Sequence, residues 1–101
     1  MKSLNHRSIL VYDTETDSLD IETAQLKWFG AYSYSDMKYH LIPFKGNEKD
    51  VKALIKRHKV LVGFNNKEFD NPIIKNNIDD EIFDYRVMID LLEMSAPKGN
   101  K

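Results

Sequence analysis

The 101-residue chain contains no cysteine, which excludes disulfides, a thiolate nucleophile and cysteine-ligated zinc within it. Long apolar runs are missing too. The longest near the N-terminus is Ile9 to Tyr12, too short for a signal-peptide core or a membrane span, so a soluble, intracellular, cytoplasmic protein without a membrane partner is expected. Neither charge dominates: 15 basic and 16 acidic residues leave a net charge of -1, and bulk charge does not mark a nucleic-acid binder. There is no low-complexity segment and no repeat, and 42% of the residues are hydrophobic, so residues 1–101 read as a single domain. A domain of this length buries about two thirds of its unfolded surface.

The distribution of charge says more than its sum. Residues 1–36 hold 3 basic and 6 acidic groups, residues 37–68 hold 8 and 3, and residues 69–101 hold 4 and 7. A basic middle could steer a polyanion toward acidic flanks, although lysines of this kind also simply solvate a helix face.

The most informative stretch is Ile9 to Asp17, an apolar run that ends in Asp13-Thr14-Glu15. Four apolar residues in succession suit a central strand buried on both faces. Side chains alternate along a strand, so Asp13 and Glu15 leave it on one side and Thr14 on the other. Two carboxylates converging there are costly unless a cation neutralises them, and hard oxygen donors suit Mg²⁺ or Mn²⁺. Alone, the pair reads equally as a strand that stops in a polar turn.

The first strand is expected over Ser8–Asp13, after a polar lead-in at 1–7. Leu26–Tyr34 alternates, with Leu26, Trp28, Gly30, Tyr32 and Tyr34 on one face and Lys27, Phe29, Ala31 and Ser33 on the other. Ser35-Asp36 turns it into Met37–Ile42 as an antiparallel hairpin. Asn47, with Asp50 three residues on, resembles an N-cap for an amphipathic helix over Glu48–His58. Val60–Phe64 reads as a buried strand, parallel to the first because a helix precedes it. Asn65 to Ile74 is a polar turn entering a short helix that accepts Pro72 in its first turn. Ile82–Ile89 is expected as a fifth strand, with a helix beginning at Asp90–Met94 and a flexible end at 95–101. The fold class is therefore α/β.

Parallel strands deliver their C-terminal ends to one edge of a sheet, where open α/β sheets place ligands. Asp70, early in the helix after Val60–Phe64, would then approach Asp13 and Glu15. Three carboxylates from two segments would serve one or two divalent ions, about 4 Å apart in phosphoryl chemistry.

At this point the residues resemble a family. Val11-Tyr12-Asp13-Thr14-Glu15-Thr16 followed by Leu19 is similar to the first motif of the DEDD 3′-5′ exonucleases, the proofreading-type nucleases of the ribonuclease H-like fold. Gly63-Phe64-Asn65 with Phe69-Asp70 is similar to their second motif. The resemblance covers about residues 8–94. It implies a ribonuclease H-like mixed sheet of about five strands, the first three antiparallel and the rest parallel, with flanking helices. It implies Asp13, Glu15 and Asp70 as catalytic metal ligands for Mg²⁺ or Mn²⁺. It further implies Thr14 or Thr16 as a contact to the terminal nucleotide, Asn65 as a further contact or a brace of the motif, and Leu19 and Phe69 as flanks of the 3′-terminal base of single-stranded DNA or RNA.

One element of the family pattern is missing. A fourth Asp, preceded by a water-orienting His or Tyr, normally lies well beyond the second motif. Tyr85 and Asp90 follow Asp70 too closely and read instead as a strand Tyr and a helix-capping Asp. His6, His40 and His58 fall in a tail, a hairpin strand and a basic helix. The resemblance thus implies the N-terminal part of an exonuclease domain, incomplete at its C-terminus, weakly active or inactive alone, and prone to self-association or to docking a completing chain. The rival readings are a catalytically inactive nucleic-acid-binding or assembly module acting through Lys49–Lys59, and another ribonuclease H-like nuclease such as a resolvase.

Overall fold

The computed structural model describes residues 8–95, so the expectation of flexible ends at 1–7 and 95–101 lies outside the described residues except at Ser95, which ends a helix. Its strands are β1 (Ile9–Thr16), β2 (Leu26–Ser33), β3 (Lys38–Pro43), β4 (Val60–Gly63) and β5 (Val87–Asp90). Its helices are α1 (Glu48–Lys56), α2 (Asn71–Asn77) and α3 (Leu91–Ser95), with a wide π turn at Asn66–Asp70 leading directly into α2. The sheet order is β3-β2-β1-β4-β5. The β1–β2 and β2–β3 pairs are antiparallel, and the β1–β4 and β4–β5 pairs are parallel. This is the mixed α/β sheet of the ribonuclease H-like fold.

Alternation on β1 sets the core. Leu10, Tyr12 and Thr14 are buried while Asp13 and Glu15 are exposed. Leu10 and Tyr12 join Phe29 and Ala31 of β2, Val51, Leu54 and Ile55 of α1, and Ile74 of α2 in one apolar cluster. Tyr12 and Phe29 stack with ring centroids 5.8 Å apart. The helices thus cover one face, and Asp13 and Glu15 leave from the other.

Four expectations need correction. β1 runs on to Thr16, so the carboxylates lie on the strand rather than beyond it. On β2 the pairing slips between Glu15–Trp28 and Thr16–Leu26, and the extra residue, Lys27, forms a bulge. A bulge shifts the alternation by one residue, so Leu26 turns into the core with Phe29 while Trp28 stays exposed. The fifth strand begins only at Val87, because residues 82–85 form turns in which Tyr85 adopts φ 65°. Asn47 precedes α1 but makes no side-chain cap; its amide donates to the Pro43 carbonyl at 2.8 Å instead.

Candidate active site

The edge where β1, β4 and β5 end holds four carboxylates, Asp13, Glu15, Asp70 and Asp90. Asp13 and Glu15 are carried by the strand itself, cross-strand from Gly30 and Trp28. Gly30 has a steric reason. A Cβ there would stand 2.2 Å from the Tyr39 hydroxyl, so the Tyr39 ring lies across the bare backbone with its hydroxyl on the strand next to Asp13.

Asp70 arrives by another route. Gly63 ends β4, Asn65 turns the chain in the left-handed conformation at φ 57°, and the π turn follows. A Cβ on Gly63 would meet the Asn66 side chain at 2.9 Å, so glycine lets Asn66 fold back beneath the strand. There Asn66 is fully buried, its Nδ2 donating to the Tyr12 hydroxyl at 2.8 Å. That hydroxyl in turn donates to Asn71 Oδ1. Burial first, then the charges of Asp70 and Asp90, raises the Tyr12 phenol well above its ordinary range, so it stays a neutral donor. Three side chains from β1, the π turn and α2 are thereby locked under the loop that presents Asp70.

Asp90 fixes the same loop from β5. Its carboxylate accepts the backbone N–H of Asn65 at 2.8 Å, of Lys67 at 3.2 Å and of Leu92 at 2.9 Å. Burial alone would raise its pKa, yet the three N–H donors together hold it below its ordinary value. Capping α3 matches the expectation for Asp90, and clasping the Asn65–Lys67 loop is an added role. Tyr85 lies in a turn that precedes β5, at the opposite edge of the sheet, and shares no site with Asp70.

Asp70 itself has one side-chain donor among the described residues, the Thr14 hydroxyl at 2.8 Å. The residue is 4% exposed, and its carboxyl is raised to about 6, chiefly by burial and further by the charges of Asp13 and Asp90. Asp13 is therefore close enough for its charge to be felt at Asp70. The two nevertheless approach from different sides, because Thr14 belongs to the core face and Asp13 to the open one. Among the described residues, no group of three or more His, Asp or Glu side chains stands ready to enclose a metal ion. Hard oxygen donors of this kind fit a divalent cation chemically, and Asp13, Glu15 and Asp70 are the residues that would hold it.

The other expected contacts are placed as follows. Thr14 is buried and committed to Asp70, and the Thr16 hydroxyl donates to the Ser18 carbonyl at 2.8 Å. Leu19 is 84% exposed in the loop after β1. Phe69 is half-buried beside Asp70, and the Asn65 side chain is exposed. A cleft lined by Lys67, Asn71, Pro72, Lys75, Phe83 and Met88 opens beside α2 and contains none of Asp13, Glu15 and Asp70. Tyr12, Asn66 and Asn71 escaped sequence reasoning, since Tyr12 sits inside an apolar run; Gly63 so close before Asn66 was the available signal.

Among the described residues no helix is long and apolar enough to cross a membrane. No curated relative matches the chain. Two solved structures share the fold at 16% identity. A family B DNA polymerase from the hyperthermophilic archaeon Pyrobaculum calidifontis matches over 83% of this chain and 15% of its own, with a TM-score of 0.63. Exonuclease I of E. coli, solved with a dA16 oligonucleotide, matches over 85% of this chain and 28% of its own, with a TM-score of 0.59. The chain spans less than a third of either. A family model described as the RNase_H superfamily matches residues 10–101, and with the sheet order and the placement of Asp13, Glu15 and Asp70 in view, the chain belongs to that superfamily.

Proposed function

We propose that this domain belongs to a DEDD-type 3′-5′ exonuclease acting on single-stranded DNA or RNA ends, with Asp13, Glu15 and Asp70 holding Mg²⁺ or Mn²⁺. The observation that carries the reading is that the topology delivers the motif carboxylates to one sheet edge: two on central β1 and one on the loop after its parallel neighbour β4. E. coli Exonuclease I, which shares the fold, was solved with an oligonucleotide, in keeping with a nucleic-acid ligand.

When bound, the divalent ions supply Lewis acidity to the attacking water and to the leaving oxygen of the phosphodiester. The chain's own residues do the positioning. Thr14 holds the Asp70 carboxylate by one hydrogen bond and leaves its remaining lone pairs for a cation. Asp13 and Glu15 supply negative charge at an exposed strand end, where a phosphate and its cation can enter. Asp90 and the Tyr12–Asn66–Asn71 network keep the Asp70 loop from collapsing toward the core. Leu19 and Phe69, one exposed and one half-buried, are the apolar surfaces offered to the terminal base.

The sheet face opposite α1 and α2 exposes Trp28, Tyr39 and Leu41, and self-association or a completing chain would act through it. Sedimentation that shows only monomer at micromolar concentration would count against self-association. For catalysis, the test is Mn²⁺-dependent shortening of a 5′-labelled single strand from its 3′ end. Asp13→Asn and Asp70→Asn should each abolish it, and retained activity in either would remove that residue from the metal site.

A further inference from the structure

Cations gather at the opposite edge of the sheet. A hollow of about 190 Å³ there is lined by Lys56, Arg57, His58, Lys59 and Arg86. The first four come from the end of α1 and the link to β4, and Arg86 from the residue before β5. The β4–β5 pairing of Val60 with Val87, continued by the Val87 N–H to the Lys59 carbonyl at 2.8 Å, brings the two segments together.

Among the described residues no carboxylate lines the hollow, and Arg57 is the cation of its lining that has an acidic partner. Asp36 pairs with Arg57 and His40, and Asp79 with Lys52. Asp84, exposed and close in sequence to Arg86, offers Arg86 its backbone carbonyl. Among the described residues, Lys56, Lys59 and Arg86 form no ion pair. Arg86 is instead held by carbonyls, Nη2 to Lys56 at 2.6 Å and Nη1 to Asp84 at 3.4 Å and Tyr85 at 3.3 Å. Carbonyl oxygens orient a guanidinium without cancelling its charge, so a fixed cation stands beside two mobile ones.

Tyr85 adjoins this cluster and is 89% exposed, the most exposed of the large apolar side chains described. Its φ of 65° lies in the left-handed region, which a bulky residue adopts only when the surroundings impose it. Burial does not account for the strain, because the ring is held out into solvent. Cations beside a projecting aromatic ring are the combination with which proteins grip single strands: charge for the backbone and a π face for a base.

We propose that this edge is a second nucleic-acid contact, in which Lys56, Lys59 and Arg86 bind the phosphodiester backbone of a single strand and Tyr85 stacks on a base. The proposal takes its class of ligand from the function proposed above but not its chemistry. Ile9 lies level with Val60, and Asp13 is four residues further along β1, so the carboxylates are about 13 Å away along the strand. The two sites are separable.

Fluorescence anisotropy of a 5′-labelled oligothymidylate, with the full chain and EDTA present, reads binding while metal-dependent cleavage is off. Lys56→Ala/Lys59→Ala, at two exposed positions, should weaken binding about tenfold and lower the slope of log K against log salt by about 1.4, at about 0.7 per phosphate contact on a single strand. Tyr85→Ala should weaken it about fivefold or more with the slope unchanged. Lys38→Ala, at an exposed lysine on β3 across the sheet, should bind as the unmodified protein does, and because binding is read with cleavage off, failure of the nuclease reading and failure of this one are distinguishable. No binding by the unmodified chain, or unchanged affinity and slope in the double variant, overturns the proposal. Displacement of the strand by millimolar inorganic phosphate together with an inert Tyr85→Ala would also overturn it, in favour of a free-phosphate site.

Discussion

Asp70 and Asp90 lie at the same sheet edge, both residues are 4% exposed, and their pKa values are shifted in opposite directions. Asp90 meets three backbone N–H groups and is held ionised below its ordinary value. Asp70 meets one hydroxyl, and burial, with two neighbouring negative charges added, pushes it up to about 6. Near-equal exposure therefore carries two meanings, because burial prevails at Asp70 whereas three N–H donors outweigh it at Asp90. A carboxylate whose lone pairs are filled by the backbone belongs to the scaffold. One left short of donors among like charges costs stability and is suited to a cation.

The comparison is sharpest under substitution. Asp70→Asn should lower metal-dependent exonuclease activity by about a thousandfold or more, the scale of a lost element of charge stabilisation. It should also leave the melting temperature unchanged or a few degrees higher, because the amide oxygen still accepts the Thr14 hydrogen bond and no buried charge remains. Saturating Mn²⁺ should stabilise the unmodified protein, by about 2.7 kcal/mol at a hundred times its dissociation constant, and leave Asp70→Asn little affected. Calorimetry with and without Mn²⁺ checks both expectations. Asp90→Ala should do the reverse. It should lower the melting temperature by about 5 °C or more with or without metal, since three N–H groups lose their acceptor. An Asp90 variant that melts normally but cannot bind Mn²⁺ would break the contrast.

Acid gives a finer test, because His58 opposes Asp70. His58 is 1% exposed and lies between the Ser33 hydroxyl, 2.7 Å from Nε2, and the Leu54 carbonyl, 2.7 Å from Nδ1. Burial, its largest influence, lowers its pKa below 6.5. Its contribution to stability is complete above the unfolded pKa, about 6.5, and is lost as pH falls through its folded value. Asp70 runs the other way: raised to about 6 from 3.8, it binds its proton more tightly when folded and so offsets part of that loss as pH falls from about 6 to 4. Asp70→Asn should therefore lose stability toward acid more steeply than the unmodified protein, as melting curves across pH 7 to 4 would show. Smallest of all should be Gly30→Ala, which obliges the exposed Tyr39 ring to swing off the strand beside Asp13. The expected stability change is within about 1 kcal/mol by denaturant titration, since only the far end of a surface side chain must move.

Periodicity made much of the fold legible. The apolar run of β1, the hairpin of β2 and β3, the stripe of Val51, Leu54 and Ile55 on α1 and the short apolar β4 are all local patterns, and each element formed where its pattern stood. Alternation likewise put Asp13 and Glu15 on one side of β1. What escaped depends on tertiary approach. The bulge at Lys27 follows from pairing with β1, which no alternation within β2 reveals. Residues 82–89 carry both periods, and the turn at Tyr85 decided between them. The Thr14 hydroxyl bonds Asp70, a partner 56 residues away that no local pattern announces. Tyr12 looked apolar because phenols in apolar runs usually are; its hydroxyl acquires a purpose only once Asn66 and Asn71 arrive from the far side of the sheet.

The clasp formed by Asp90 also sets an order of events. The loop between β4 and α2 is tied by a carboxylate at the end of β5, so its ordering is coupled to the docking of β5 in parallel beside β4. Contacts between segments distant in sequence form late, after the local hairpin of β2 and β3 and the helix α1. The chain can therefore hold most of its core while the segment bearing Asp70 is still searching, and the Asn65 and Lys67 amides should gain protection from hydrogen exchange together with β5 rather than with β4.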